Sequence, residues 1–274
     1  MGSSLGLALK KRGAPVRVHA FARREAERSL LLERGAADAV FESAASALKD
    51  ASMIVFCTPV LSIPELVAAC RDSFSSGAIV TDVGSTKSCL NDLIPAELNG
   101  RADVCFVGSH PICGSEQQGA DAGDADLYDG AMTVVTPLPN AAPAAVEKII
   151  SLWKAAGSNT MLMDAAEHDR ILAATSHLPH VAAAALVLAE SGNGVLCGSG
   201  FRDTTRIAEG SPQVWSDIVR TNAPALKASI AELRKQLSDF ENHLDSGDEE
   251  KIKSWFAAAR DKRRSLLTAK ELKR

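Results

Sequence analysis

Residues 53–83 read MIVFCTPVLSIPELVAACRDSFSSGAIVTDV, and this stretch decides the fold. Two apolar runs of strand length, Met53–Cys57 and Ala78–Val83, flank Ile63–Phe74, whose pattern is that of a helix. Working outward, the alternation continues in both directions. Val16–Phe21, Val104–Gly108 and Met132–Thr136 read as further strands. Leu5–Arg12 closed by Gly13, and Arg24–Arg34 closed by Gly35, read as helices. A fourth helix starts at Pro143 and ends before Gly157, with Val146, Ile149, Ile150 and Trp153 at i, i+3, i+4 and i+7. Nearly continuous apolar strands between amphipathic helices predict a parallel sheet covered on both faces, hence a doubly wound α/β domain over 1–163.

From residue 164 the pattern changes, and no convincing strand follows. Asp164-Ala-Ala-Glu167 resembles a capping box with Asp in place of Ser or Thr, opening an Ala-rich helical stretch. Leu226, Ile230, Leu233, Leu237, Phe240 and Leu244 form a heptad-like seam. A helix packed within its own domain would show it, and so would one shared with a second subunit. The expectation is an all-α domain over 164–274 that forms a homodimer. The last helix follows an acidic run, 245–250, and ends in Lys262-Arg263-Arg264, in keeping with the helix dipole.

The chain has 274 residues, 46% hydrophobic and 23% charged, which is ordinary globular usage and excludes a disordered protein. The net charge of −4 without a basic block, and 4% aromatics, argue against nucleic acid as the main partner. The longest purely apolar run, Val181–Ala189, is far short of the roughly 20 residues of a membrane span, so no membrane association is expected. The first residues lack the features of a signal peptide. Six scattered cysteines without a C-x-x-C pair read as free thiols of a reducing, cytoplasmic environment, with no zinc site.

A dinucleotide-binding domain opens strand, G-x-G-x-x-G, helix, so that the pyrophosphate meets a helix N-terminus. Here the chain opens Met1-Gly2-Ser3-Ser4-Leu5-Gly6. If Gly2 is the third glycine, the first two and the strand before them are missing, and the phosphate loop is represented only by Gly2 and Ser3. Val16–Phe21 is followed by Ala22-Arg23-Arg24. A small residue and two arginines, where NAD sites place an acid, suit a 2′-phosphate, so NADP is expected, with NAD possible. Two exposed arginines beginning a surface helix would look the same. Thr58-Pro59, after a strand, sits where a cofactor would lie.

Three further segments carry chemistry. They are Thr81-Asp82-Val83-Gly84-Ser85-Thr86-Lys87; Gly108-Ser109-His110-Pro111-Ile112-Cys113-Gly114-Ser115-Glu116; and Glu167-His168-Asp169 with Thr175-Ser176-His177-Leu178-Pro179-His180. Gly200-Phe201-Arg202-Asp203-Thr204-Thr205-Arg206-Ile207-Ala208, Trp215-Ser216-Asp217-Ile218 and Asn222 follow in order. Together they resemble the prephenate/arogenate dehydrogenase family of tyrosine biosynthesis, from residue 2 to about 222. The resemblance implies an N-terminal Rossmann-like dinucleotide domain, a C-terminal helical dimerisation domain, and an active site between them. It implies oxidation of a cyclohexadienol bearing a ring carboxylate. Hydride leaves the hydroxyl-bearing carbon for the nicotinamide, and CO2 is lost to give a phenol. The substrate is prephenate, or alternatively arogenate.

In that family His110 corresponds to the catalytic histidine that takes up the hydroxyl proton, and Ser85 to a serine that bonds the histidine or the hydroxyl. Arg206 corresponds to the substrate-binding arginine, with Arg202 as competitor on the same helical face. His177 and His180 belong to the segment used for the substrate side chain, and Trp215 to a pocket-lining tryptophan. His180, as a cationic or donor group, favours a keto side chain, hence prephenate. Ile112-Cys113 replaces the usual Met-Ala and should alter packing alone. His110 could also be a satisfied strand-end histidine, and Trp215 a core residue. A 3-hydroxy acid dehydrogenase would lean on a helical-domain lysine, and 164–185 contains none. A dimeric module with impaired cofactor binding is the remaining alternative, motivated by the absent first strand.

Overall fold

The structure is a computed structural model that describes residues 1–114, 119–190, 192 and 194–267. The first half contains Gly2–Lys11 (α1), His19–Phe21 (β1), Glu25–Glu33 (α2), Ala39–Phe41 (β2), Ala44–Leu48 (α3) and Met53–Phe56 (β3). Ser62–Cys70 (α4), Ile79–Asp82 (β4), Ser88–Glu97 (α5), Cys105–Ile112 (β5), Met132–Pro137 (β6), Pro143–Ala155 (α6) and Asn159–Leu162 (β7) follow. Strands β3 to β7 make a five-stranded sheet in chain order, and β1 and β2 make a separate two-stranded one.

Two expectations need correction. The single sheet is in fact two, because no described strand bridges β1 and β3. Nor is the larger sheet wholly parallel: β6 runs antiparallel to β5, pairing Val107 with Pro137 through Ile112 with Met132. The described part of the β5–β6 connection contains turns and no helix, so the chain returns without the crossover that a parallel pair needs. The other pairings in both sheets are parallel.

The sheet is covered on both faces, as the apolar runs require. Ile63 and Val67 of α4 and Leu90 and Ile94 of α5 are fully buried on one face. On the other, Ala8 of α1 and Ile149 and Trp153 of α6 pack with Tyr128. Pro143 begins α6, and Gly157, at φ +100°, follows its end. Gly6 lets α1 pack closely against the turn after α2, since a Cβ there would strike the Ala36 carbonyl. Ile63–Phe74 is α4 plus a short 3-10 turn at Arg71–Ser73.

The second half is helical: Ala165–Leu172 (α7), a π-helical turn at Ala173–His177, Leu178–Ala189 (α8), Ser199–Thr205 (α9), Pro212–Thr221 (α10), Ala223–Ser246 (α11) and Glu249–Leu266 (α12). Asp164 caps α7 by accepting from Ala166 N (2.8 Å) and Glu167 N (3.1 Å). Glu167 pairs with Arg170 instead of closing the box. The helical stretch 165–189 is long and apolar enough to cross a bilayer by length and composition. It also carries His168, Asp169 and His177, all buried against protein.

By packing, the chain forms two compact parts, Met1–Ala225 and Leu226–Arg274. Within the second, α11 and α12 pack through Phe240, whose ring lies 4.8 Å from Trp255 and 5.6 Å from Phe256. Asp248 caps α12 by accepting from Lys251 N at 3.1 Å.

Candidate active site

The site is built where β4 and β5 diverge. Their ladder pairs Ile79 with Cys105 and Val80 with Phe106 and then stops. Side chains take over beyond it. Ser109 Oγ donates to the Asp82 carbonyl (2.6 Å) and accepts from Trp153 Nε1 (3.0 Å), while Thr81 Oγ1 lies 2.8 Å away. Asp82 pairs with Lys87, whose ammonium also donates to the Ser109 carbonyl at 2.9 Å. Both charges are fully buried. Burial pushes the Asp82 carboxyl up and the Lys87 ammonium down, each against the pull of the other. Breaking such a pair strands a buried charge, so it holds the strand ends in one arrangement. Lys87 therefore acts as a structural cation with no access to a ligand.

His110, the next residue of β5, is buried, and its Nδ1 lies 2.9 Å from Nε2 of His168 on α7. His168 Nδ1 lies 2.8 Å from Asp169 Oδ1. The Asp169 carboxylate accepts from the N–H groups of Lys87 (2.8 Å) and Ser88 (2.9 Å), at the start of α5. Burial alone would raise the Asp169 carboxyl, but His168 and the two N–H groups together hold it below its ordinary value. Burial first, then the neighbouring His168, Lys87 and His177, push His110 well below the usual 6.5. His110 is therefore neutral near pH 7, as a base must be.

Asn222, after α10, donates to the Asp169 carbonyl (2.7 Å) and bridges to His177 Nδ1 (3.1 Å). His177 thus accepts at Nδ1 and carries its proton on Nε2. That N–H is buried without a partner among the described residues. Burial, with His168 and His180 adding, pushes His177 down to about 4 against the pull of Asp169. Trp215 of α10 stacks on His180 at 3.6 Å and presents its edge to His177 at 6.3 Å. The three predicted side-chain pocket residues are thus together.

Other expectations are changed. No hydrogen bond joins Ser85 to His110; Ser85 lies half-buried in the loop from β4 to α5, and the partner of His110 is His168. His180 Nδ1 lies 3.0 Å from the Ile207 carbonyl and must donate to it. Burial lowers the pKa of His180, and the charge of Arg206 lowers it further. In its neutral form its Nε2 is an acceptor, which speaks against reading His180 as a cationic or donor group toward the substrate. Arg206 is exposed at the start of a 3-10 turn, so it does not share a regular α-helical face with Arg202 of α9. Ser115 and Glu116 lie outside the described residues.

At the nucleotide end, Leu5 N makes the first helical bond of α1, to the Met1 carbonyl (2.9 Å). The N–H groups of Gly2, Ser3 and Ser4 precede that ladder, as at other anion-seeking helix starts. A Cβ on Gly2 would lie 3.2 Å from Cys57 Cβ, so bare backbone is what fits there, beside Thr58 and Pro59 at the end of β3. The Ser3 hydroxyl donates to the Ala120 carbonyl at 3.1 Å. Arg23 and Arg24 are exposed after β1, and Arg24 pairs with Glu27. These residues fit the phosphates of a dinucleotide.

A neutral buried imidazole within β5, in a domain whose first helix opens with free N–H groups, fits one class of protein, a nicotinamide-dependent dehydrogenase. Residues 5–162 match the family description "Prephenate dehydrogenase, nucleotide-binding domain", and residues 164–258 match "Prephenate dehydrogenase, dimerization domain". The chain belongs to the prephenate dehydrogenase family. It is 30% identical over 285 residues to the cyclohexadienyl dehydrogenase of Zymomonas mobilis, spanning 100% of this chain and 95% of that protein. It also resembles the crystal structure of Aquifex aeolicus prephenate dehydrogenase in complex with hydroxyphenyl propionate and NAD+, with TM-score 0.89, 26% identity, and coverage of 97% and 95%. For Synechocystis arogenate dehydrogenase the TM-score is 0.82 at 27% identity, with coverage of 97% and 96%.

Proposed function

We propose that this chain is a prephenate dehydrogenase: it converts prephenate to 4-hydroxyphenylpyruvate and CO2. The observation that carries the reading is His110, buried and neutral, one hydrogen bond away from the helical segment that bears His177. When bound, NAD(P)+ supplies the hydride acceptor. His110 receives the hydroxyl proton, which removes the positive character that hydride loss would leave on that carbon. The electron pair of the breaking bond to CO2 enters the ring, and the proton returns to the phenolate oxygen. The unpartnered Nε2–H of His177 offers a buried donor to a substrate oxygen. Arg206 supplies positive charge beside His180, and Trp215 walls the side-chain pocket. Ser85, half-buried beside the start of α5, positions the substrate hydroxyl.

NADP+ is the preferred cofactor in this reading, because Arg23 and Arg24 follow β1 where an acid would select the ribose hydroxyl. Gly2 and Ser3 would hold the pyrophosphate, and Thr58 and Pro59 would line the cofactor cleft. The chain acts as a cytoplasmic homodimer, its division of labour falling at residues 163 and 164. A second reading, arogenate as an additional substrate, is favoured by the acceptor nitrogen of His180, which suits an ammonium better than a keto oxygen.

The test follows reduced-nicotinamide absorbance with the full chain, each substrate and each cofactor. Expected are turnover of prephenate, a lower KM for NADP+ than for NAD+, and a loss of about 10²- to 10⁴-fold in kcat for His110→Asn. Unchanged turnover in that variant overturns the reading.

A further inference from the structure

We propose that His168 and Asp169 are positioning residues that hold His110 in one tautomer, with its proton on Nδ1 and its basic lone pair on Nε2. The inference rests on the reading of His110 as the base. It follows from counting donors and acceptors along a closed chain. The Asp169 carboxylate is ionised and can only accept. It already takes the N–H of Lys87 and of Ser88, and His168 Nδ1 at 2.8 Å must donate to it as well. A neutral His168 then has its lone pair on Nε2, so His110 Nδ1, 2.9 Å away, must donate. Nε2 of His110 is left as the acceptor for the hydroxyl proton.

The anchoring is unusually firm for a side-chain chain. His168 is 0% exposed and Asp169 4%, so water cannot substitute for either partner. The carboxylate sits on the N–H groups that open α5, where the helix dipole adds to its preference for the charged form. As His110 gains its proton, its bond to His168 becomes charge-assisted, and the oriented dipole of His168 faces the new cation with its lone pair. No proton needs to travel to Asp169.

Two variants and one direct measurement test this in the full chain. In Asp169→Asn the amide nitrogen must replace either Oδ1, which His168 shares with the Lys87 N–H, or Oδ2, which faces the Ser88 N–H, so a backbone donor is opposed in either placement and the hold on His168 is lost; kcat should fall about 10²- to 10⁴-fold. Because that variant also disturbs the start of α5, His168→Phe is the cleaner probe: it removes the link and leaves Asp169 on Lys87 and Ser88. Its kcat should fall by a similar factor with KM for prephenate and affinity for NADP+ little changed, a split that a merely structural residue would not give. Nitrogen-15 NMR of histidine-labelled wild-type protein should place the His110 proton on Nδ1. A proton on Nε2, or an unchanged kcat in His168→Phe, overturns the proposal. If the wild type turns over neither substrate, the assignment of the reaction fails while the tautomer measurement still stands.

Discussion

His177 illustrates how a residue can be tuned by what it lacks. It is 1% exposed, with a fixed acceptor on Nδ1 and an unpartnered N–H on Nε2. Its folded pKa of about 4 lies below the ordinary 6.5. Between those values the unfolded chain binds more protons than the folded one, so stability rises with pH there and falls as pH drops from 6.5 toward 4. The full difference amounts to about 3 kcal/mol. Urea midpoints measured from pH 7 to pH 4 should show the wild type losing more stability than His177→Gln; parallel curves would show that His177 does not titrate this way. The same sign holds for His110, whose acid limb in kcat/KM should lie below 6.5. His110, His177, His180 and Trp215 were legible in the sequence because each lies in a short run with a recognisable order. The roles of His168, Asp169 and Asn222 were not, although their letters were in view. Their bonds join residues 58, 82 and 53 positions apart, and spacing along a chain says nothing about contacts at that range.

At the level of elements, the long apolar runs and the Pro-to-Gly frame of α6 could be read directly. β2 has three residues, too few for any period, and β7 begins with a polar residue and is largely exposed. α5 contains Pro95, which argues against a helix in any window that includes it. The π-helical turn Ala173–His177 leaves no sequence trace either, yet it sets how His177 on one side is rotated relative to His168 on the other. Such turns are uncommon and concentrate at functional sites. Removing one residue restores α-helical winding and turns the two histidines by roughly 100° relative to each other. Deleting Ala174, which is exposed, should therefore keep far-ultraviolet circular dichroism near wild type while abolishing turnover. Retained turnover would mean that the extra residue does not position His177.

Across the whole molecule, the apolar surface left uncovered is what an assembly must account for. Leu188, Val195 and Leu196 in the first compact part are more than four-fifths exposed, and Leu237 and Leu244 in the second are 53% and 55% exposed. The α11 residues belong to the seam read from the sequence, whose ambiguity between an internal and a shared helix could not be resolved from spacing. A helix packed within its own domain would bury that seam, and here its outer half stays open within one chain. Together with the match to a dimerisation domain, this favours a shared helix. Fully burying an exposed leucine contributes roughly 1.5–3 kcal/mol; these are already about half covered, so four leucines per dimer supply on the order of 3–6 kcal/mol. That shifts a dissociation constant by about two to four powers of ten. Light scattering at micromolar protein should give twice the chain mass for the wild type and a single chain mass for Leu237→Glu/Leu244→Glu, with helical content retained. A double variant that remains dimeric would move the interface off this seam, leaving the exposed residues of α8 and the 194–196 turn as the surface to test next.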